Sequence, residues 1–196
     1  MIETRNRKEL RKAVMEFRSN IQADDLYNSI PSIRASKEWY VHARNDHPEI
    51  RAKFFELLRN LEGYKAHIVI AKKDLNIFNE KHNNNATEFY FDALHHLLNG
   101  KLCNSECQYM LYLSQRGNNS LHRFQNAVEK SLATKEIESN APVKYNLEIV
   151  AGQEVPELSI IDYLMWAVQR KLLTGESRYY NAMQHKYGSI VNLYEM

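Results

Sequence analysis

The sequence predicts an α/β fold in which helices pack on a small central sheet. Short runs rich in β-branched and aromatic residues, at 64–71, 107–114 and 143–150, alternate with longer stretches of helical periodicity. Gly and Pro number only six and four among 196 residues, too few for a turn-dense all-β sandwich or barrel. The length suits one domain spanning 1–196. Within it, 1–47 reads as an N-terminal helix and a long connection, and 48–196 as the α/β core.

The first predicted helix covers 3–19, where Leu10, Val14 and Phe17 recur at i, i+4, i+7 among basic residues. Asp24, Asp25, Asn28, Ser29 and Pro31 punctuate the connection that follows, and Trp39 and Tyr40 tuck it onto the core. Pro48 suits a first helical position, where its missing N–H would have gone unpaired. The helix it opens runs through Ile50, Phe54, Leu57, Leu58 and Leu61 to Gly63, read as its C-terminal cap. The run 64–71 is the first strand, and 74–82 a short polar helix or loop. A helix over 86–99 presents Phe89, Leu94, Leu97 and Leu98 and stops at Gly100. The second strand, 107–114, leads to a Gly117-Asn118-Asn119 turn, after which Asn119 or Ser120 caps a helix carrying Leu121, Phe124, Val128 and Leu132. The alternating run 143–150 is the third strand. Pro156 opens a helix with an apolar stripe of Leu158, Ile161, Leu164, Met165 and Val168, ended by Gly175. An aromatic helix over 178–187 and a short closing strand over 190–194 complete the chain.

Hydrophobic residues at 44% and charged residues at 26% exclude wholesale disorder. No apolar run approaches the ~20 residues that cross a bilayer, so no membrane is expected as a partner. The start is charged and lacks the apolar stretch of a secretory signal, so a cytoplasmic protein is expected. The net charge of +2 identifies no nucleic-acid binder by itself. Its distribution says more: Arg5, Arg7, Lys8, Arg11 and Lys12 crowd the first dozen residues against Glu3 and Glu9. These form either a solvated helix face or a nucleic-acid-binding helix that contacts phosphates. Cys103 and Cys107, spaced C-x-x-x-C, are either two reduced thiols or part of a zinc site with His95 or His96.

Asp162 is the first candidate for chemistry. It lies near a helix start among Ile160, Ile161 and Leu164, and a carboxylate on an apolar helix is costly unless hydrogen-bonded, paired or bound to a cation. It is either a structural acid or a divalent-metal ligand. Lys72, Lys73 and Asp74 follow the first strand directly, and Arg116 follows the second, at strand ends where sites in open sheets gather. Their alternative role is a polar connection. His42 and His47 flank Arg44 in a loop that could hold phosphate or a metal. Tyr179, Tyr180, Tyr187 and Tyr194 serve either packing or base stacking. No phosphate-cradling glycine loop, no G-x-S-x-G and no H-E-x-x-H is present.

The stretch VPELSIIDYLMWAVQRKLLTGESRYYNAMQHKYGSIVNLY resembles the C-terminal signature of the bacterial family called domain of unknown function 3800. There a hydrophobic-Asp-Tyr-hydrophobic helix start precedes an Arg-ended helix and a Tyr-rich one. ASKEWYVHARNDHPEIRAKFFELL with HIVIAKK is similar to that family's middle region, so the resemblance covers most of 30–194. It implies a ribonuclease H-like fold, in which carboxylates hold divalent metal ions that activate water at a phosphodiester. Asp162 matches the late acidic position. The chain departs elsewhere. It has no opening Asp-Glu-Ser-Gly strand, as if the first hairpin were absent. Ala71 and Ser114 end strands where acids are expected, and Ser32 and Arg34 stand where members carry Glu and His.

Asp162 alone cannot build a two-metal site, since each ion takes several oxygen ligands. The expectation is a truncated or degenerate member acting as an accessory or interaction protein. The family's distribution implies a phage-defence or mobile-element setting, with a protein partner or homo-oligomer and no cofactor. One alternative is a metal-dependent nuclease using Asp162, Lys72 and Asp74, or Glu157, with Mg²⁺ or Mn²⁺. Another is a non-catalytic nucleic-acid-binding module.

Overall fold

A computed structural model describes residues 1–34, 39–72, 74–102, 106–114, 125–126, 128–130, 143–151 and 154–194. In chain order the elements are β1 (Ile2–Thr4), α1 (Arg7–Ala23), α2 (Asp25–Asn28), α3 (Pro31–Arg34), α4 (Pro48–Asn60), β2 (Tyr64–Ala71), α5 (Leu75–His82) and α6 (Ala86–Leu98). There follow β3 (Gln108–Ser114), β4 (Lys144–Val150), α7 (Leu158–Thr174), α8 (Arg178–Ala182), a 3₁₀ turn (Gln184–Lys186) and β5 (Tyr187–Leu193). The α/β class is as expected. The single central sheet is not: among the described residues there are two sheets, one ordered β1-β2-β5 and one of β3 and β4 alone.

The chain divides into two compact units, Met1–His67 with Ala151–Ser189, and Ile68–Val150 with Ile190–Met196. In the first unit, α1, α4, α7 and the start of β2 share one core. Leu10 and Val14 from α1, Ile50, Phe54 and Leu58 from α4, Ala66 from β2, and Ile160, Tyr163 and Leu164 from α7 are all buried in it. Its rings are closely fitted. Phe54 meets Phe17 at 5.0 Å and Tyr163 at 4.4 Å, edge to face, and Phe55 stacks on Tyr179 at 4.4 Å.

Local chemistry moves several boundaries. Residues 2–4 are a strand antiparallel to β2, with Ile2 opposite Ala66 and Thr4 opposite Tyr64, so the helix expected over 3–19 begins only at Arg7. Asn6 then caps α1 by accepting from the Glu9 amide, and the helix runs on to Ala23. The long connection is partly helical, as α2 and α3. Leu61, not Gly63, is the C-cap of α4. Gly63, at φ +78°, makes the turn into β2, where the Thr4 hydroxyl donates to its carbonyl at 2.8 Å. Gly175, at φ +73°, does end α7. The 178–187 helix stops at Ala182, with Met183 as its C-cap, and the 3₁₀ turn leads into β5 at Tyr187.

The apolar stripe of α7 is also displaced. Met165 is 46% exposed, whereas Tyr163 and Ala167 are fully buried beside Ile160 and Leu164. Hydrophobic periodicity undercounts Tyr163, whose hydroxyl has a buried partner, and Ala167, whose small size admits close packing.

In the second unit, β3 and β4 run parallel and in register from Gln108 opposite Lys144 to Ser114 opposite Val150. Parallel strands need a crossover, and 125–126 and 128–130 in their connection are helical. The expected 117–119 turn and its helix cap lie outside the described residues. Buried side chains of this unit include Phe78, Leu94, Leu98, Val128 and Val143.

One close approach joins β1, β2 and β5 within the first unit. The buried His67 ring meets Glu3 Oε2 at 2.9 Å through Nε2 and the Ser189 hydroxyl at 2.8 Å through Nδ1. A Cβ on Gly188 would lie 2.5 Å from the His67 Cε1 atom. Gly188→Ala should therefore lower stability by about 1–3 kcal/mol through overpacking. Urea unfolding should show a smaller loss in a His67→Ala background, where the ring is gone.

Candidate functional site

Three side chains on one face of α7 meet the loop 39–46, and a fourth meets Arg51, which holds the same loop. Ser159, Asp162, Tyr163 and Trp166 fall at i, i+3, i+4 and i+7, so the helix stacks them in a row. The Ser159 hydroxyl donates to the Val41 carbonyl at 2.6 Å. Asp162 Oδ2 accepts from the Ala43 amide at 2.8 Å. The Tyr163 hydroxyl donates to Asp46 Oδ2 at 2.5 Å. Trp166 lies under the Arg51 guanidinium, 4.5 Å from the ring centroid. Arg51, from α4, in turn donates to the carbonyls of Ala43 and Asp46, each at 2.8 Å.

The loop also closes on itself. Asp46 is only 4% exposed. It accepts from the Trp39 indole at 3.2 Å and the His42 amide at 2.9 Å, besides Tyr163. The amides of Asn45 and Asp46 return to the His42 carbonyl at 3.0 and 2.9 Å. Burial raises the Asp46 carboxyl above its ordinary value, against the hydrogen bonds from Tyr163, His42 and Trp39 that favour its charge. Burial, with the neighbouring Asp46 charge, also raises the Tyr163 phenol, which remains a donor. Tyr40, His42, Arg44 and Asn45 are left on the accessible side of the loop.

In this arrangement Asp162 is bonded to the loop backbone. Its side chain is 33% exposed, and its Oδ2 also lies 3.6 Å from His42 Nδ1. His42 Nδ1 accepts from the Arg44 amide at 3.3 Å. The other sequence candidates sit elsewhere. Asp74 belongs to the second unit and caps α5, accepting from Asn76 and Ile77 at 2.9 and 3.1 Å. Lys72 is exposed just past β2. Glu157 is buried and pairs with Arg7 through Oε1, while its Oε2 has no hydrogen-bond partner among the described residues. His47 accepts from the Glu49 amide at 3.4 Å, as the cap of α4. Lys73, Cys103 and Arg116 lie outside the described residues, and Cys107 is exposed as a free thiol.

The basic run is divided in role. Arg7 is drawn to Glu157, Arg11 donates to the Glu154 carbonyl at 3.1 Å, and Lys12 lies 3.8 Å from Glu16. Arg5 and Lys8 are exposed. Lys8, Arg11 and Lys12 border an open groove with Met15 and Ser19 along the outer face of α1.

His96 lies beside Asp92, whereas Cys103 is outside the described residues. Asp92 draws His96 to 3.7 Å and His82 to 3.8 Å, and also accepts from Lys81 at 2.9 Å and from the Tyr194 hydroxyl. Burial opposes the Asp92 charge, but Tyr194, Lys81 and the positive neighbours outweigh it and lower its carboxyl. Among the described residues no three His, Cys, Asp or Glu side chains form a metal-holding group. The four tyrosines pack within the chain: Tyr179 on Phe55, Tyr180 on Tyr187 at 5.3 Å, and Tyr194 on Asp92. No described helix is long and apolar enough to cross a membrane. No family model, curated protein or solved structure matches the chain.

Sequence reasoning reached Asp162 but missed Asp46 and the pairing with His42. The available signal was the spacing S-x-x-D-Y-x-x-W over 159–166, which puts four partner-seeking side chains on one helical face.

Two outcomes test the clamp. Tyr163→Phe should lose about 1–3 kcal/mol, since it withdraws a buried donor from Asp46. Because the fold holds the Asp46 proton to higher pH than the unfolded chain does, its contribution is largest in acid. That contribution is lost as pH rises from the ordinary aspartate range through the raised folded value. The Tm of wild type relative to Asp46→Asn should fall over that window, and a pH-independent difference would contradict the assignment.

Proposed function

We propose that this chain is a non-catalytic accessory or interaction protein built on a degenerate ribonuclease H-like core. One observation supports the reading above others: the acids that the sequence puts forward are already engaged by protein donors. Asp162 holds the Ala43 amide, Asp74 holds two amides of α5, and Glu157 holds Arg7. Each of these bonds occupies a carboxylate oxygen that a metal ion would otherwise take, and an ion needs further oxygen ligands beside it. The helix that carries the family-like signature acts here as a clamp on loop 39–46. The resemblance adds a phage-defence or mobile-element setting, with a protein partner or a second copy of the chain.

A second reading, a nucleic-acid-binding module, draws support from the exposed Arg5 and Lys8 and from the basic groove along α1. Both readings predict that single- and double-stranded DNA and RNA stay intact with Mg²⁺ or Mn²⁺. Asp162→Ala, which orphans the Ala43 amide, should melt earlier by about 1–3 kcal/mol. Neither metal should shift the Tm of wild type or variant. Metal-dependent cleavage that disappears in Asp162→Asn, with metal stabilising wild type alone, would assign the nuclease instead.

A further inference from the structure

We propose that the tip of loop 39–46 is a recognition site for a phosphate group, with His42 and Arg44 as the donors. This inference rests on the non-catalytic reading above and names the ligand such a protein would hold. The loop is fixed far beyond what a solvated connection needs. Ser159, Asp162, Tyr163 and Arg51 bond it from outside, and Asp46 ties it from within. Holding a carboxylate as buried as Asp46 is costly, and apolar packing of similar volume often stabilises as well. What the buried network adds is a fixed loop geometry, which reduces the ordering cost of binding at whatever the loop presents.

What it presents is Tyr40, His42, Arg44 and Asn45. His42 is 32% exposed and Arg44 and Asn45 are open to solvent. His42 Nδ1 accepts from the Arg44 amide, so the neutral ring carries its proton on Nε2 and donates from there. Arg44, two residues on in the same turn, adds a planar fork of donors suited to phosphate oxygens. The Tyr40 and His42 rings form a T-shaped pair with centroids 5.9 Å apart, which supports the His42 ring. Asp162 opposes an anion, but its charge lies on the Nδ1 side of the ring and is held by the Ala43 amide.

The test uses the full chain and two sources of the same chemistry. Fluorescence polarisation would follow labelled single-stranded RNA and DNA of about 12 nucleotides, a length within the span of single-strand sites. NMR would follow the His42 ring and Arg44 amide during titration with inorganic phosphate. His42→Ala and Arg44→Ala should each weaken oligonucleotide binding roughly tenfold, the loss of one charge-assisted hydrogen bond. Arg44→Lys should fall between wild type and Arg44→Ala. Thermal melts should show Arg44→Ala folded as wild type is. Lys8→Ala with Lys12→Ala should leave the phosphate-induced shifts at His42 and Arg44 unchanged. Shifts with phosphate but no oligonucleotide binding would support a site for free or small-molecule phosphate. An Arg44→Ala protein that is folded and binds both probes as wild type does would overturn the proposal, as would wild type with neither binding nor shifts. Metal-dependent shortening of the labelled strand on a gel would instead defeat the non-catalytic reading, and is read separately.

Discussion

A carboxylate as deeply buried as Asp46 stays in a protein interior only if donors surround it. Asp46 has three: the Trp39 indole, the His42 amide and the Tyr163 hydroxyl. Each comes from a different kind of structure, namely a buried aromatic, a turn and a helix. Satisfying one side chain therefore sets the entry of the loop, the path of its turn and the rotation of α7. The turn then ends at His47 and Pro48, where α4 begins with Arg51 placed to hold the same loop from its carbonyl side. Phe54, one turn further along α4, meets the ring of Tyr163. The polar network and the aromatic core thus share Tyr163, and neither can shift without the other.

This arrangement explains how much of the molecule was legible. The helices with strong apolar periodicity, α4, α6 and α7, were readable, as were the β-branched strand β2 and the alternating strand β4. β1 was not, because three residues carry no period and its pairing is with residues about sixty positions later. The division into two sheets was hidden for the same reason, since strand pairing is a long-range choice that local patterns do not record. Within α7, the buried face was read one step away from its true centre. Tyr163 and Ser159 look polar in a pattern but are buried by virtue of the partners they find on the loop.

The candidate site shows the same limit. Asp162 stood out because a carboxylate on an apolar helix demands a partner. That demand does not identify the partner, and a backbone amide meets it as well as a metal ion or an arginine does. Asp46 did not stand out, because it lies in a run of polar residues where an acid looks solvated. The informative pattern joined the two segments: acceptors and donors at 41, 43 and 46 face donors and acceptors at 159, 162 and 163. Single-sequence reasoning sees both halves and has no means to align them.

The two acids on this face differ in what the structure asks of them. Asp46 is enclosed, and each of its donors would be left unpaired without it. Asp162 holds one amide through Oδ2 and remains a third exposed, so solvent screens its charge. Its Oδ2 also lies 3.6 Å from His42 Nδ1. Asp46 ties the loop to itself and to Tyr163, and Asp162 ties its Ala43 amide to α7. A turn held so firmly by its backbone can change its outward residues without changing its path, because Arg44 and Asn45 contribute main-chain atoms to the fold and side chains to the surface. The outward side chains of the loop are therefore free of the bonds that fix its path, while the scaffold beneath them is held by Asp46, Ser159, Asp162 and Tyr163.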